Sequence, residues 1–163
     1  MQQLPTIWRK MVVPVVLGMV LFASPGFAQL SGSYTIGSGG NYASFSAAVT
    51  ALTTGGVSGA VTFNVLSGTY SEQISIPAIT GASSTNTITF DGGSGNASTR
   101  ILTYSATSTY SPTVALNVAD YIRFKNLTIR STNTSNGQAI LFTNSADYNE
   151  ISDCVIEVTS SST

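Results

Sequence analysis

Two periods of alternating apolar and polar residues divide the chain after residue 28. Between Ser44 and Gly56 the apolar residues Phe45, Ala48, Val49 and Leu52 fall three or four positions apart, the spacing of one helix face. Ser44 is of the type that caps a helix start, and Gly55-Gly56 is of the type that ends one. The spacing predicts one amphipathic helix with a single apolar face to bury. Ahead of it, residues 32–40 (Gly-Ser-Tyr-Thr-Ile-Gly-Ser-Gly-Gly) predict a short strand and a turn.

Beyond Gly59 the period drops to two. Four windows share an apolar-x-apolar core: Val61-Thr-Phe63, Ile88-Thr-Phe90, Val114-Ala-Leu116 and Ile140-Leu-Phe142. The intervals between their starts are 27, 26 and 26. A second series, Ile74-Ser-Ile76, Ile101-Leu-Thr103, Leu127-Thr-Ile129 and Cys154-Val-Ile156, is spaced by 27, 26 and 27. Ala-Asp-Tyr recurs at 119–121 and 146–148. A period of this length indicates stacked repeats, and units of short strands without a helix indicate a β-solenoid. Each strand then pairs in parallel with its equivalent one turn on. Phe63, Phe90, Leu116 and Phe142 are expected in one internal column, and Ile74, Ile101, Leu127 and Cys154 in another. Asn126 and Asp153 are expected at bends, bonding backbone groups. The helix is expected to cap the open end of this core. A β-sandwich is the alternative, and it predicts hairpins at Asp91-Gly92 and Asn136-Gly137. It does not explain the shared register.

Composition narrows the function. Ser, Thr, Val, Ile, Tyr and Gly dominate, which suits strands and turns, and the 42% apolar content argues against disorder. The first residues read as a secretory signal peptide: Arg9 and Lys10, an apolar run from Met11 to Phe22, then Ala23-Ser-Pro-Gly-Phe-Ala28. Gly26 and Ala28 place the expected cut before Gln29. The run is short for a bilayer span. The remaining chain holds Arg100, Arg123, Lys125 and Arg130 against Glu72, Asp91, Asp120, Asp147, Glu150, Asp153 and Glu157, a net charge of −3. Nothing in that balance suits nucleic acid. There is no His, and Cys154 stands alone, so no internal disulfide forms. Cys154 is expected as a core thiol.

At this point the chain resembles a known group. The stretch from Gly37 (Gly-Ser-Gly-Gly-Asn-Tyr-Ala-Ser-Phe-Ser-Ala-Ala-Val), followed by Phe63-Asn-Val-Leu-Ser-Gly-Thr-Tyr-Ser-Glu-Gln-Ile-Ser-Ile76, resembles the opening of pectin-lyase-like right-handed parallel β-helices. The resemblance covers most of residues 32–158. It points to the large exported surface proteins of gram-negative bacteria that carry a C-terminal sorting domain. The opening, with Gly137-Gln-Ala-Ile-Leu141, is also similar to pectin methylesterases. That similarity implies an oxyanion-holding role for Gln138. The family's first catalytic Asp belongs soon after the strand holding Cys154, but the chain there reads Glu157-Val-Thr-Ser-Ser161. The esterase activity therefore does not carry over.

The residues themselves suggest two other chemistries. Asp120 and Asp147 stack on neighbouring turns in this reading, where a pair of carboxylates can attract a cation with Arg123, Lys125 and Arg130 on a nearby face. An Asp at a repeated turn more often bonds backbone. Tyr34, Tyr42, Tyr70, Tyr104, Tyr110, Tyr121 and Tyr148 offer stacking surfaces for sugar rings. Asn96, Asn126 and Asn133 begin N-glycosylation triplets, a short and common pattern.

The sequence thus predicts an all-β chain: a signal peptide (1–28), an N-terminal strand and capping helix (29–59), and about four coils of a right-handed parallel β-helix (60–163), truncated at the C-terminus. No catalytic, cofactor or metal residue is assigned. The expected function is an exported cell-surface or secreted scaffold, adhesin-like and in contact with polysaccharide or cell-surface glycans. No nucleic-acid partner is expected, the membrane matters only during export, and further coils of a longer chain are expected to follow. The alternative is the N-terminal part of a polysaccharide lyase or carbohydrate esterase whose catalytic residues lie downstream.

Overall fold

The computed structural model describes residues 28–105 and 111–159. The segment read as a signal peptide lies outside them up to residue 27, as do Tyr110 and the residues after 159. The described chain is all-β apart from one helix and a single 3₁₀ turn at Ala97–Thr99.

The predicted helix is α1, Phe45–Gly55. The Ser44 side chain accepts a hydrogen bond from the Ala47 N–H, satisfying one of the donors that a helix start leaves free. Phe45, Ala48, Val49 and Leu52 are its buried residues, as the spacing predicts. Gly56 stops it with φ +70°, and a Cβ there would lie 2.6 Å from the Thr80 carbonyl oxygen. Only glycine suits both conditions.

Twelve strands complete the described residues. β1 (Leu30–Ile36) precedes α1. After the helix come β2 (Val57–Val65), β3 (Gly68–Ser71) and β4 (Ile74–Ile76), then β5 (Ile88–Asp91), β6 (Arg100–Tyr104) and β7 (Val114–Asn117). The chain continues through β8 (Ile122–Lys125), β9 (Thr128–Ser131) and β10 (Ile140–Thr143) to β11 (Glu150–Ser152) and β12 (Val155–Val158). They form three sheets, ordered β1-β2-β5-β8-β11, β3-β6-β9-β12 and β4-β7-β10. From β2 onward consecutive strands visit the three sheets in the same order, so each strand pairs with the one three further on. All of these pairings are parallel. That removes the hairpins a sandwich requires; Asp91-Gly92 and Asn136-Gly137 lead into crossovers between sheets.

The strands therefore lie in layers: β2–β4, β5–β7, β8–β10 and β11–β12. Side chains at equivalent positions stack between layers, and this corrects both expected columns. Phe63 stands over Phe90 and Phe90 over Phe124, with ring centroids 5.0 and 5.1 Å apart and nearly parallel planes. Leu116 and Phe142 belong to a different sheet, in register with Ile76. Likewise Ile74 pairs with Val114, and Ile101 pairs with Thr128 instead of Leu127. Only Leu127 and Cys154 keep equivalent places, each immediately before its strand, β9 or β12.

Unequal layers explain the misreading. In the first sheet the step is 27 from Val61 to Ile88, 34 from Ile88 to Ile122 and 27 from Arg123 to Glu150. In the third sheet the step is 40 from Ile74 to Val114 and 26 from Val114 to Ile140. The second layer carries longer connections, including the 3₁₀ turn. A uniform period drawn through it joined strands of two sheets into one series.

The core fills the space between the three sheets. Ile36, Phe45, Leu52, Phe63, Phe90, Leu102, Leu116, Phe124 and Ile129 are fully buried. Each large apolar side chain buried in this way contributes about 1.5–3 kcal/mol.

Candidate functional site

The residues singled out for chemistry converge on the outer side of the third and fourth layers, where the step is constant and equivalent side chains meet. The turn after β7 and the turn after β10 share their backbone form: Val118 and Ser145, and Tyr121 and Tyr148, all have positive φ. The bends before β9 and β12 also match, with Asn126 at φ 55° and Asp153 at φ 53°. A left-handed conformation at Val118 costs about 1–2 kcal/mol for a residue with a Cβ. Its N–H donates to the Thr143 carbonyl of the next layer, 3.1 Å away, which helps hold it there.

Asp120 and Asp147 occupy those equivalent turns, as expected. The Asp120 carboxylate accepts the backbone N–H of Asp147 at 2.7 Å. Its bond therefore joins two layers, in place of the local backbone bond expected of a turn Asp. Asn144 donates its amide to the Asn117 Oδ1 at 2.8 Å. Asn149 donates to the Ala119 carbonyl and accepts the Ile122 N–H, both at 2.8 Å. Tyr121 and Tyr148 stack with centroids 5.1 Å apart and planes 6° from parallel. Arg123 lies 3.3 Å from a Glu150 carboxylate oxygen, and Arg130 pairs with Glu157. Each of these groups is spent on its neighbour in the next layer.

The other candidates are scattered. Asn126 sits at the expected bend, but its amide donates to the Asp91 side chain at 2.8 Å, where backbone groups were expected. Gln138 lies in the connection between β9 and β10, with its amide oxygen buried and without a hydrogen-bond partner. Cys154 is half-buried, where a core thiol was expected; its thiol donates to the Phe124 carbonyl at 3.4 Å, and burial pushes its pKa up. A raised thiol pKa lowers the thiolate fraction and hence reactivity. Tyr34, Tyr42 and Tyr70 pack their rings against Phe63 or Phe45. Among the described residues no three His, Cys, Asp or Glu side chains gather as a metal site.

An open hollow of about 370 Å³ lies between α1 and the start of β1. Leu30, Tyr42, Ala47 and Ala51 line it with small polar residues and no carboxylate, amine or thiol. It offers shape and apolar surface but no acid–base pair.

Sequence reasoning missed Glu72. Its carboxylate accepts the N–H groups of Phe45 and Ser46 at 3.1 and 2.9 Å and the Ser46 hydroxyl at 2.6 Å. This negative charge caps the α1 N-terminus, where the helix dipole favours it. Tyr70 lies two positions earlier, with its ring edge-on to Phe45 at 5.1 Å and its hydroxyl donating to the Leu66 carbonyl at 2.9 Å. The Ser-Gly-Thr-Tyr-x-Glu stretch thus ties the helix to the first layer. The charge pairs were missed as well, although Arg123/Glu150 and Arg130/Glu157 are separated by the same interval that divides the two Ala-Asp-Tyr triplets.

Comparison with family models, curated proteins and solved structures gave no match to this chain.

Proposed function

We propose that the chain is a scaffold: a right-handed parallel β-helix of the pectin-lyase-like kind, exported behind a cleaved signal peptide to the cell surface or the medium. The observation that carries this reading is the use made of the outward polar groups. Asn117, Asp120, Arg123 and Arg130 each hold a partner in the next layer. Groups committed to joining layers serve rigidity better than turnover. The cyclic order of strands through three parallel sheets supports the helical winding. Parallel crossovers are right-handed in about 98% of cases, which supports the hand.

An adhesive role against polysaccharide or cell-surface glycans goes with this reading. Tyr148 is 73% exposed, and an exposed tyrosine ring is a surface on which a sugar ring can stack. Export rests on the charged, apolar and small-residue order of residues 1–28.

The deciding experiment is expression in a gram-negative host, followed by fractionation and assay. The expected product begins at Gln29, lies outside the cytoplasm, and releases neither methanol nor unsaturated sugars from pectin and polygalacturonate. Release of either product overturns the scaffold reading. A cytoplasmic product retaining Met1 overturns export.

A further inference from the structure

The dipeptides Asp91-Gly92 and Asn136-Gly137 both lie at crossovers between sheets, and the fold holds them in opposite ways. At the first, side chain and main chain are both engaged. Asp91 Oδ1 accepts from the Gly93 N–H at 2.7 Å and from the Asn126 amide at 2.8 Å. The Gly92 N–H donates to the Lys125 carbonyl at 2.9 Å.

At the second, the main chain ahead is fixed but the adjoining groups are not. Asn133 Oδ1 accepts the N–H groups of Ser135 and Asn136, which holds the turn. Among the described residues nothing accepts from the Gly137 N–H, and the Asn136 side chain has no hydrogen-bond partner. The fold also requires glycine at 137. A Cβ there would lie 2.6 Å from the Asn133 carbonyl oxygen and would overlap the Val158 side chain. Val158 belongs to β12, so the fourth layer already packs on this glycine.

We propose that Asn136 is a self-modification site, where the chain deamidates through a succinimide with water as the only co-reactant. Having lost its proton to a base, the Gly137 nitrogen attacks the side-chain carbonyl carbon of Asn136. A bond forms between these two atoms and closes the ring. The bond from that carbon to the side-chain nitrogen breaks, and ammonia leaves with the proton. Without a Cβ on Gly137 the attacking nitrogen is uncrowded. Water then opens the ring at either carbonyl. Attack on the side-chain carbonyl gives aspartate. Attack on the main-chain carbonyl gives isoaspartate, whose chain runs through the side-chain carboxyl carbon. No group is oxidised or reduced. At position 91 the same attack would first have to break the Gly92 bond to Lys125 and the bonds that hold the side chain.

Each conversion adds a carboxyl group, and the iso form adds a main-chain carbon just ahead of Gln138 and Ala139. The carbonyls of those residues accept from the Thr113 and Val114 N–H groups at 3.0 Å. The change thus falls on a segment bonded to the second layer. The site rests on the hydrogen bonds of one connection and is independent of the scaffold reading.

The test ages the full chain in mildly alkaline buffer and maps it by tandem mass spectrometry. Residue 136 is expected to change in mass by the replacement of an amino group with a hydroxyl, giving aspartate and isoaspartate together. Asp91→Asn places a second Asn-Gly pair in the same chain. In the folded chain, position 91 is expected to react at least about tenfold more slowly than position 136. In concentrated urea the two positions are expected to react at similar rates. A folded chain that keeps Asn136 intact while its urea-unfolded form converts overturns the proposal. So does equal reaction at the two positions in the folded chain, or a difference that persists in urea. The comparison of folded and unfolded Asn136 uses the unsubstituted chain, so it decides the matter even where Asp91→Asn fails to fold.

Discussion

The two ends of the stack carry the same kind of layer under opposite conditions. At the first end β1 extends one sheet beyond β2, and α1 packs on β1 and β4. Ile36, Phe45, Leu52 and Ile76 are fully buried there. At the other end Phe142, in the same column as Ile76, is nearly half exposed. The strands at both ends pair in parallel with their neighbours. What differs, among the described residues, is whether something covers the last ring of side chains. A layer in this stack gains its stability from its neighbours, so the layers are unequal in worth even though each pairs in the same way.

That comparison is broken or confirmed most sharply by truncating one phenylalanine at each place. Phe90 lies between Phe63 and Phe124 and also faces Phe45 at 5.7 Å. Phe90→Ala is expected to cost about 3–5 kcal/mol. Phe142→Ala is expected to cost less than half as much, because its site is already open to water and leaves no enclosed cavity. Urea unfolding of both variants measures the difference. Equal losses would mean that the fourth layer is as tightly supported as the second.

This layered arrangement was partly legible in the sequence. Helix α1 could be read because its cap, its apolar spacing and its terminating glycine are local features. The parallel stacking could be read because the third and fourth layers keep one step in two sheets, from Arg123 to Glu150 and from Thr128 to Val155. Assignment of strands to sheets could not. Ile88-Thr-Phe90, Val114-Ala-Leu116 and Ile122-Arg-Phe124 have the same apolar-x-apolar form, and such a triplet carries no address. Only connection lengths distinguish them, and those lengthen in the second layer. Asp120 and Asp147 were visible through the repeated Ala-Asp-Tyr, but the bond between them uses a backbone N–H that leaves no trace in residue identity. Glu72 was hidden for a related reason: its partners Phe45 and Ser46 lie far back in the chain, before β2 and β3, outside any helix-capping pattern.

Glu72 therefore gives the second test, directed at what covers the first end. Glu72→Ala removes a charged acceptor from three donors while leaving the Ser44 cap in place. A loss of about 2 kcal/mol is expected, within the range for hydrogen bonds to a charged group. Faster hydrogen exchange should appear first in α1 and β1, with the fourth layer unchanged. If exchange rises uniformly, the ends are not independent and the stack unfolds as one unit.

The smallest effect is expected in the ladder that joins the third and fourth layers. Arg123 and Glu150 pair at 3.3 Å, but their side chains are 42% and 44% exposed. Water screens such a pair, and a double-mutant cycle of Arg123→Ala and Glu150→Ala is expected to give about 0.2–1 kcal/mol of coupling. The coupling should shrink as salt rises, since exposed charges are screened within about 10 Å at 0.1 M. A value near zero would leave Arg123 and Glu150 as signposts of register with no energetic role, and would shift the work of holding the fourth layer to backbone pairing. A value well above this range would mean that the charge ladder supplies stability that the half-exposed side chains of the fourth layer do not. In that case the fourth layer is held in place mainly by the pairing of Glu150 and Glu157 with the layer before.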